Sequence, residues 1–160
     1  MKKILFFTVS CLFLMSCEDV LKEAPKAVAV ETFYNTAAEV ETAVNAAYRE
    51  LRATNGISGQ LGAQVEAYTD YSYGRGSYQV LSDFQGLNST NIPRTDEGWR
   101  LFYLSIRNAN LVIQNAPKGS RISQADIAKY VAEAKFLRAY NYFWLVRNWG
   151  GVPIRTEATL

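Results

Sequence analysis

Between Tyr68 and Asn91 the sequence sets flat aromatic rings beside short polar side chains, the combination that saccharide recognition requires. Tyr71, Tyr73 and Tyr78 can stack on the apolar face of a pyranose, and Asp70, Arg75, Asn88 and Asn91 can meet its hydroxyls. A tyrosine supplies contact area at low entropy cost. For any single residue the alternative stands beside this one: the ring packs the loop onto its own scaffold. Trp99, Trp144 and Trp149 suggest sugar platforms too. Trp99 and Trp144 fall within helical runs and Trp149 at a helix end, so core packing is the expectation for all three.

Catalytic chemistry finds little support. The chain has no histidine, which removes the residue most used in acid–base catalysis and the commonest metal ligand. Two cysteines, Cys11 and Cys17, cannot build a zinc site without it, and no cofactor or metal is expected. Glycoside hydrolysis needs two carboxylates flanking one bond. Of the loop acids Asp70, Asp83, Asp96 and Glu97, the last two read as charges at a helix start, and nothing marks a pair. Gly74-Arg75-Gly76 lacks the Lys-Ser/Thr of a phosphate loop. The chain is expected not to be an enzyme.

The first 17 residues read MKKILFFTVSCLFLMSC. Lys2 and Lys3 precede a mostly apolar run, Ile4 to Met15, that is shorter than the roughly 20 residues needed to span a bilayer. This is the layout of a secretory signal peptide over 1–16. Leu14-Met15-Ser16-Cys17 resembles a bacterial lipobox, in which cleavage precedes a cysteine that becomes lipidated. An ordinary signal peptide and an incidental N-terminal segment are the alternatives. Without Lys2 and Lys3, Lys+Arg falls from 17 to 15 and equals the 15 Asp+Glu. A neutral mature chain has no electrostatic footprint for nucleic acid. Glu18 and Asp19 read equally as a surface-export signal or as two solvated charges.

The elements that would position the loop are helical. Residues 17–35 read as a lipidated tether. Thr36-Ala-Ala-Glu39 is a capping-box pattern, and Val40, Ala43, Val44, Ala47, Tyr48 and Leu51 fall on one face of a helix over 36–53. Residues 54–95 are glycine-rich, with a short helix over Ala63 to Tyr68 and long loops otherwise. A second helix is expected from about Asp96-Glu97, whose charges suit a helix N-terminus, to Pro117. A third starts at Ser123 with Asp126 behind it and ends at Trp149 before Gly150 and Gly151. Ile127, Tyr130, Ala134, Leu137 and Leu145 form one apolar side, and Phe136, Ala139, Tyr140 and Phe143 another. Such a helix is expected to lie buried between neighbours. Three helices supply too few of them, so 160 residues are expected to fold poorly alone. Glu133 on this helix needs a partner, and Arg107 is the candidate.

Several blocks together resemble the N-terminal part of the SusD/RagB family. They are Ser16-Cys17-Glu18-Asp19-Val20-Leu21 with Pro25, and Asn45-Ala46-Ala47-Tyr48. Trp99-Arg100-Leu101-Phe102-Tyr103 with Ile106, Asn110 and Asn115 follows. Glu133-Ala-Lys-Phe-Leu-Arg-Ala-Tyr140, running on to Trp149-Gly-Gly-Val-Pro153, is the most specific. The resemblance implies an all-α fold of tetratricopeptide-like stacked helical hairpins, here with a long loop-rich insertion and the helical region over 36–160. It implies a multiply acylated Cys17 and a place in the outer membrane. It also implies non-catalytic delivery of oligosaccharides to a TonB-dependent, SusC-like transporter. Family members are much longer, so an incomplete N-terminal fragment is expected. The rival reading is a helical scaffold lipoprotein that binds a protein or peptide partner.

Overall fold

The computed structural model describes residues 33–158. The expected signal peptide (1–16), Cys17 and all but the last three residues of the tether lie outside the described residues. Those last three belong to the fold: Tyr34 is buried in the core, and Phe33 packs beside it.

The fold is all-α among the described residues. Its elements are α1 (Ala37–Leu51), α2 (Gln60–Glu66), α3 (Gln79–Ser82), α4 (Ile92–Asn115) and α5 (Gln124–Trp149), with 3-10 turns at Gly76–Tyr78 and Ala116–Lys118. None of these helices is long and apolar enough to cross a membrane.

Local chemistry starts and stops the long helices. The capping box of α1 is formed: Glu39 N–H donates to Thr36 Oγ1 at 3.3 Å, and Thr36 N–H to Glu39 Oε2 at 2.7 Å. Ser123 caps α5 by accepting from Asp126 N–H at 3.1 Å. Gly150 ends α5 at φ 76°, a left-handed conformation that disfavours any side chain. The short helix of the loop region starts three residues earlier than expected, at Gln60.

Helix α4 begins at Ile92, four residues before Asp96. Asn88 turns the chain into it, its Oδ1 accepting from Thr90 N–H and Asn91 N–H, both at 3.0 Å. Pro93 then sits in the first turn, where its missing N–H costs nothing. Asp96 and Glu97 therefore lie inside the helix, and Glu97 pairs with Arg100 instead of serving the terminus.

Helices α1, α4 and α5 pack into one core. Val40, Val44 and Ala47 of α1 meet Ala109 and Val112 of α4 and Tyr130, Ala134 and Leu137 of α5. A polar link crosses the same junction. Ser105 Oγ on α4 donates to Ala47 O on α1 at 2.9 Å and accepts from Asn141 Nδ2 on α5 at 2.9 Å. A second cluster, Leu61, Phe102, Ile106 and Leu145, seats α2. Trp99, Trp144 and Trp149 pack around it, as their helical positions suggest.

The second apolar side of α5 departs from expectation. Phe136 is 64% exposed, Phe143 52% and Val146 51%. Three long helices make one layer, and nothing among the described residues covers this outer face. Glu133 also departs from it: its Oε1 accepts from Tyr48 OH at 2.9 Å, and no ion pair joins it to Arg107.

Candidate functional site

The loop between α2 and α4 is held by a small set of bonds. Helix α2 lies against the start of α4, where Leu61 presses on Gly98. A Cβ at Gly98 would lie 2.7 Å from Leu61 Cδ2, so a side chain at 98 would push the tip of Leu61 aside. Gln64 Nε2 adds a bond to Thr95 Oγ1 at 3.0 Å. From this footing Ser82 Oγ accepts from Gly74 N–H at 2.9 Å and donates to Ala67 O at 2.7 Å, closing the loop on itself. Leu81 is its buried apolar plug.

The seven loop residues singled out from the sequence divide into two sets. Asn91 is fully buried. Its Nδ2 donates to Ser77 O at 2.6 Å, and its Oδ1 accepts from Arg94 Nη1 at 2.9 Å. Asn88 holds the turn into α4. Tyr78 lies under the Arg94 guanidinium, 4.5 Å from its ring centroid. These three side chains fasten the loop. Asp70, Tyr71, Tyr73 and Arg75 form the exposed set. Tyr71 is 94% exposed and Tyr73 63%. Tyr73 OH donates to Asp83 Oδ1 at 2.8 Å, a bond that holds the ring and is the largest cause pushing the phenol up from its usual range.

Phe84 joins them. It is 74% exposed and sits at φ 53°, a left-handed conformation that is an outlier for a bulky side chain. Its ring centroid lies 6.1 Å from that of Tyr68. The sequence does not single out Phe84, because nothing local marks its backbone as strained.

A second concave feature lies along α4. The chain after α5 turns back across it as a strap. Tyr103 OH donates to Pro153 O at 2.7 Å, Asn110 Nδ2 to Arg155 O at 3.1 Å and to Glu157 O at 3.3 Å, and Tyr142 OH to Arg155 O at 3.0 Å. Between strap and helix lies a cleft of ≈ 400 Å³, with Trp99, Tyr103, Arg107 and Arg155 in its lining. No group of His, Cys, Asp or Glu among the described residues could hold a metal ion.

A family-wide sequence profile, described as "Starch-binding associating with outer membrane", matches residues 20–160, nearly the whole chain. The chain belongs to the SusD-like family. Among relatives of this SusD-like chain, SusD-like protein P25 of Formosa agariphila is 32% identical over 164 residues, 95% of this chain and 30% of that protein. SusD-like protein P38 of the same organism is 32% identical over 152 residues, covering 92% and 29%. A SusD-like protein of Bacteroides ovatus is 28% identical over 160 residues, covering 94% and 28%. The SusD-like chain thus spans less than a third of the length of these relatives. No solved structure matches it.

Proposed function

We propose that this SusD-like chain belongs to an outer-membrane lipoprotein that captures oligosaccharides without cleaving them. It passes them to a TonB-dependent, SusC-like transporter. Cys17 is the lipidated anchor in this reading, with more than one acyl chain, since a single chain binds membranes only marginally. The loop over 68–91 contributes to the sugar surface through Asp70, Tyr71, Tyr73, Arg75 and Phe84, while Tyr78, Asn88 and Asn91 keep it in shape.

One observation carries the reading. Tyr71 and Tyr73 stand 94% and 63% exposed on a loop fastened from within. Large rings left in water on a fixed frame lose little freedom when a flat apolar ligand covers them. Calorimetric titration of the full-length protein with a panel of oligosaccharides tests this. Tyr71→Ala should weaken binding roughly three- to tenfold, the worth of one aromatic contact, with no change in melting. Cys17→Ala should release the protein from membranes. Heat from none of the glycans would refute the reading, as would hydrolysis products from any of them.

A further inference from the structure

The cleft along α4 has a charge pattern that the loop lacks. Three arginines line it, Arg100, Arg107 and Arg155, against a single acid, Glu157. Arg100 is already spoken for: its Nε and Nη2 donate to Glu97 at 2.7 and 2.6 Å. Arg107 is half-buried on the middle of α4, and no hydrogen bond or ion pair among the described residues engages its guanidinium. Arg155 is exposed, and the strap bonds use only its backbone N–H and C=O. Two guanidiniums thus face one cleft without a bound carboxylate. A half-buried arginine in that state favours an anion, because charge-assisted bonds are about twice as strong as neutral ones and the planar fork matches oxyanion geometry.

Aromatic rings share the lining of the cleft. Trp99 and Tyr103 lie with ring centroids 5.0 Å apart at an interplanar angle of 45°, and Trp149 backs Trp99 at 5.4 Å. An indole braced from behind keeps its orientation when a ligand ring approaches. The volume of ≈ 400 Å³ lies within the range of small-ligand sites.

We propose that this cleft is a second binding site, for an anionic saccharide unit. Arg107 and Arg155 take its carboxylate or sulfate, and its ring rests against Trp99 and Tyr103. The inference rests on the glycan reading of the chain and assigns it a class of sugar, one bearing negative charge. Asn110 cannot supply a further donor: its Nδ2 is spent on the strap, and its Oδ1 accepts from Arg138 Nη1 at 3.0 Å.

The test uses the full-length protein and three oligosaccharides of equal length: a neutral glucan, an oligogalacturonate and a sulfated galactan. One or both charged oligomers should bind more tightly than the neutral one, and the preference should shrink as salt rises. The charged arm that binds identifies the oxyanion. Arg107→Gln and Arg155→Glu should each cost roughly tenfold or more in charged-oligomer affinity and leave neutral binding unchanged. Arg155→Glu alters an exposed side chain, so its melting temperature should match the parent. Tyr71→Ala should lower binding of all three oligomers. Equal binding of neutral and charged oligomers, indifferent to both arginine variants, overturns the cleft and leaves the glycan reading intact. Charged binding that survives Tyr71→Ala but fails in Arg155→Glu keeps the cleft and removes the loop. Binding of none of the three overturns both.

Discussion

Tyr48 OH donates to Glu133 Oε1 at 2.9 Å and joins α1 to α5 across 85 residues of sequence. Burial, then this bond, push the Tyr48 phenol above its usual range. Tyr48→Phe should cost about 1 kcal/mol in chemical denaturation, and Glu133→Gln less, because an amide oxygen still accepts. Pairing Glu133→Ala with Arg107→Ala should give additive losses. A phenol with a raised folded value stabilises the fold fully below the unfolded value of about 10, and that contribution is lost as pH climbs through the folded value. Tyr34 and Tyr103, raised chiefly by burial, act in the same direction. Stability should therefore fall on the alkaline side above about pH 10, and more shallowly in Tyr48→Phe.

Ser105 Oγ links all three long helices through one atom. Ser105→Ala removes the side-chain donor to the Ala47 carbonyl and takes one of two acceptors from Asn141 Nδ2, which keeps Leu137 O at 2.7 Å. The expected loss is about 1–3 kcal/mol, read by urea unfolding with an unchanged slope. Ser105→Thr keeps the hydroxyl but adds a methyl group at a fully buried position, and should be less stable than the parent.

Gly98→Ala sets a new methyl against Leu61. Overpacking of about 1–3 kcal/mol meets only the tip of Leu61 and is offset in part by the roughly 1 kcal/mol that alanine gains over glycine within a helix, so a small net destabilisation is expected. Because Leu61 seats α2, and α2 supports the loop, oligosaccharide affinity should drop along with the melting temperature. Leu61→Ala costs about 2–5 kcal/mol by itself, and combined with Gly98→Ala the two losses should be less than additive, because the new methyl no longer meets the leucine. Calorimetry should show the double variant losing less than the sum of the two single changes.

The bare face of α5 should make the chain self-associate. Phe136→Glu and Phe143→Glu together should shift sedimentation of residues 18–160 toward monomer. Stability should move by no more than about 0.5 kcal/mol per site, as for other surface substitutions. Unchanged association would mean that this face is not the sticky one.

Features decided within a few residues were legible in the sequence. Thr36 with Glu39, Ser123 with Asp126, and Gly150 after Trp149 set helix ends by bonds that span three or four positions. The start of α4 was misread because acidic residues at Asp96 and Glu97 resembled a helix terminus, while the deciding turn at Asn88 lay eight residues upstream. Loop roles were illegible for a different reason. Nothing near Asn91 announces that its amide reaches Ser77, fourteen residues away, so a buried fastener and an exposed ligand contact look alike. Arg107 seemed a fit partner for Glu133 by charge, yet a tyrosine on a third helix had the right reach. The cleft had no signal at all, since it exists only where residues 153–157 return over α4.

That return is secured almost wholly through peptide groups. Tyr103, Asn110 and Tyr142 grip carbonyls and an amide of residues 153–157 and ignore the side chains they belong to. Positions 155 and 157 are thereby released from any duty to the architecture. Substitution there can reverse the sign or the size of what faces the cleft while its outline persists. The chemistry facing the cleft can thus change at two positions with no compensating change elsewhere.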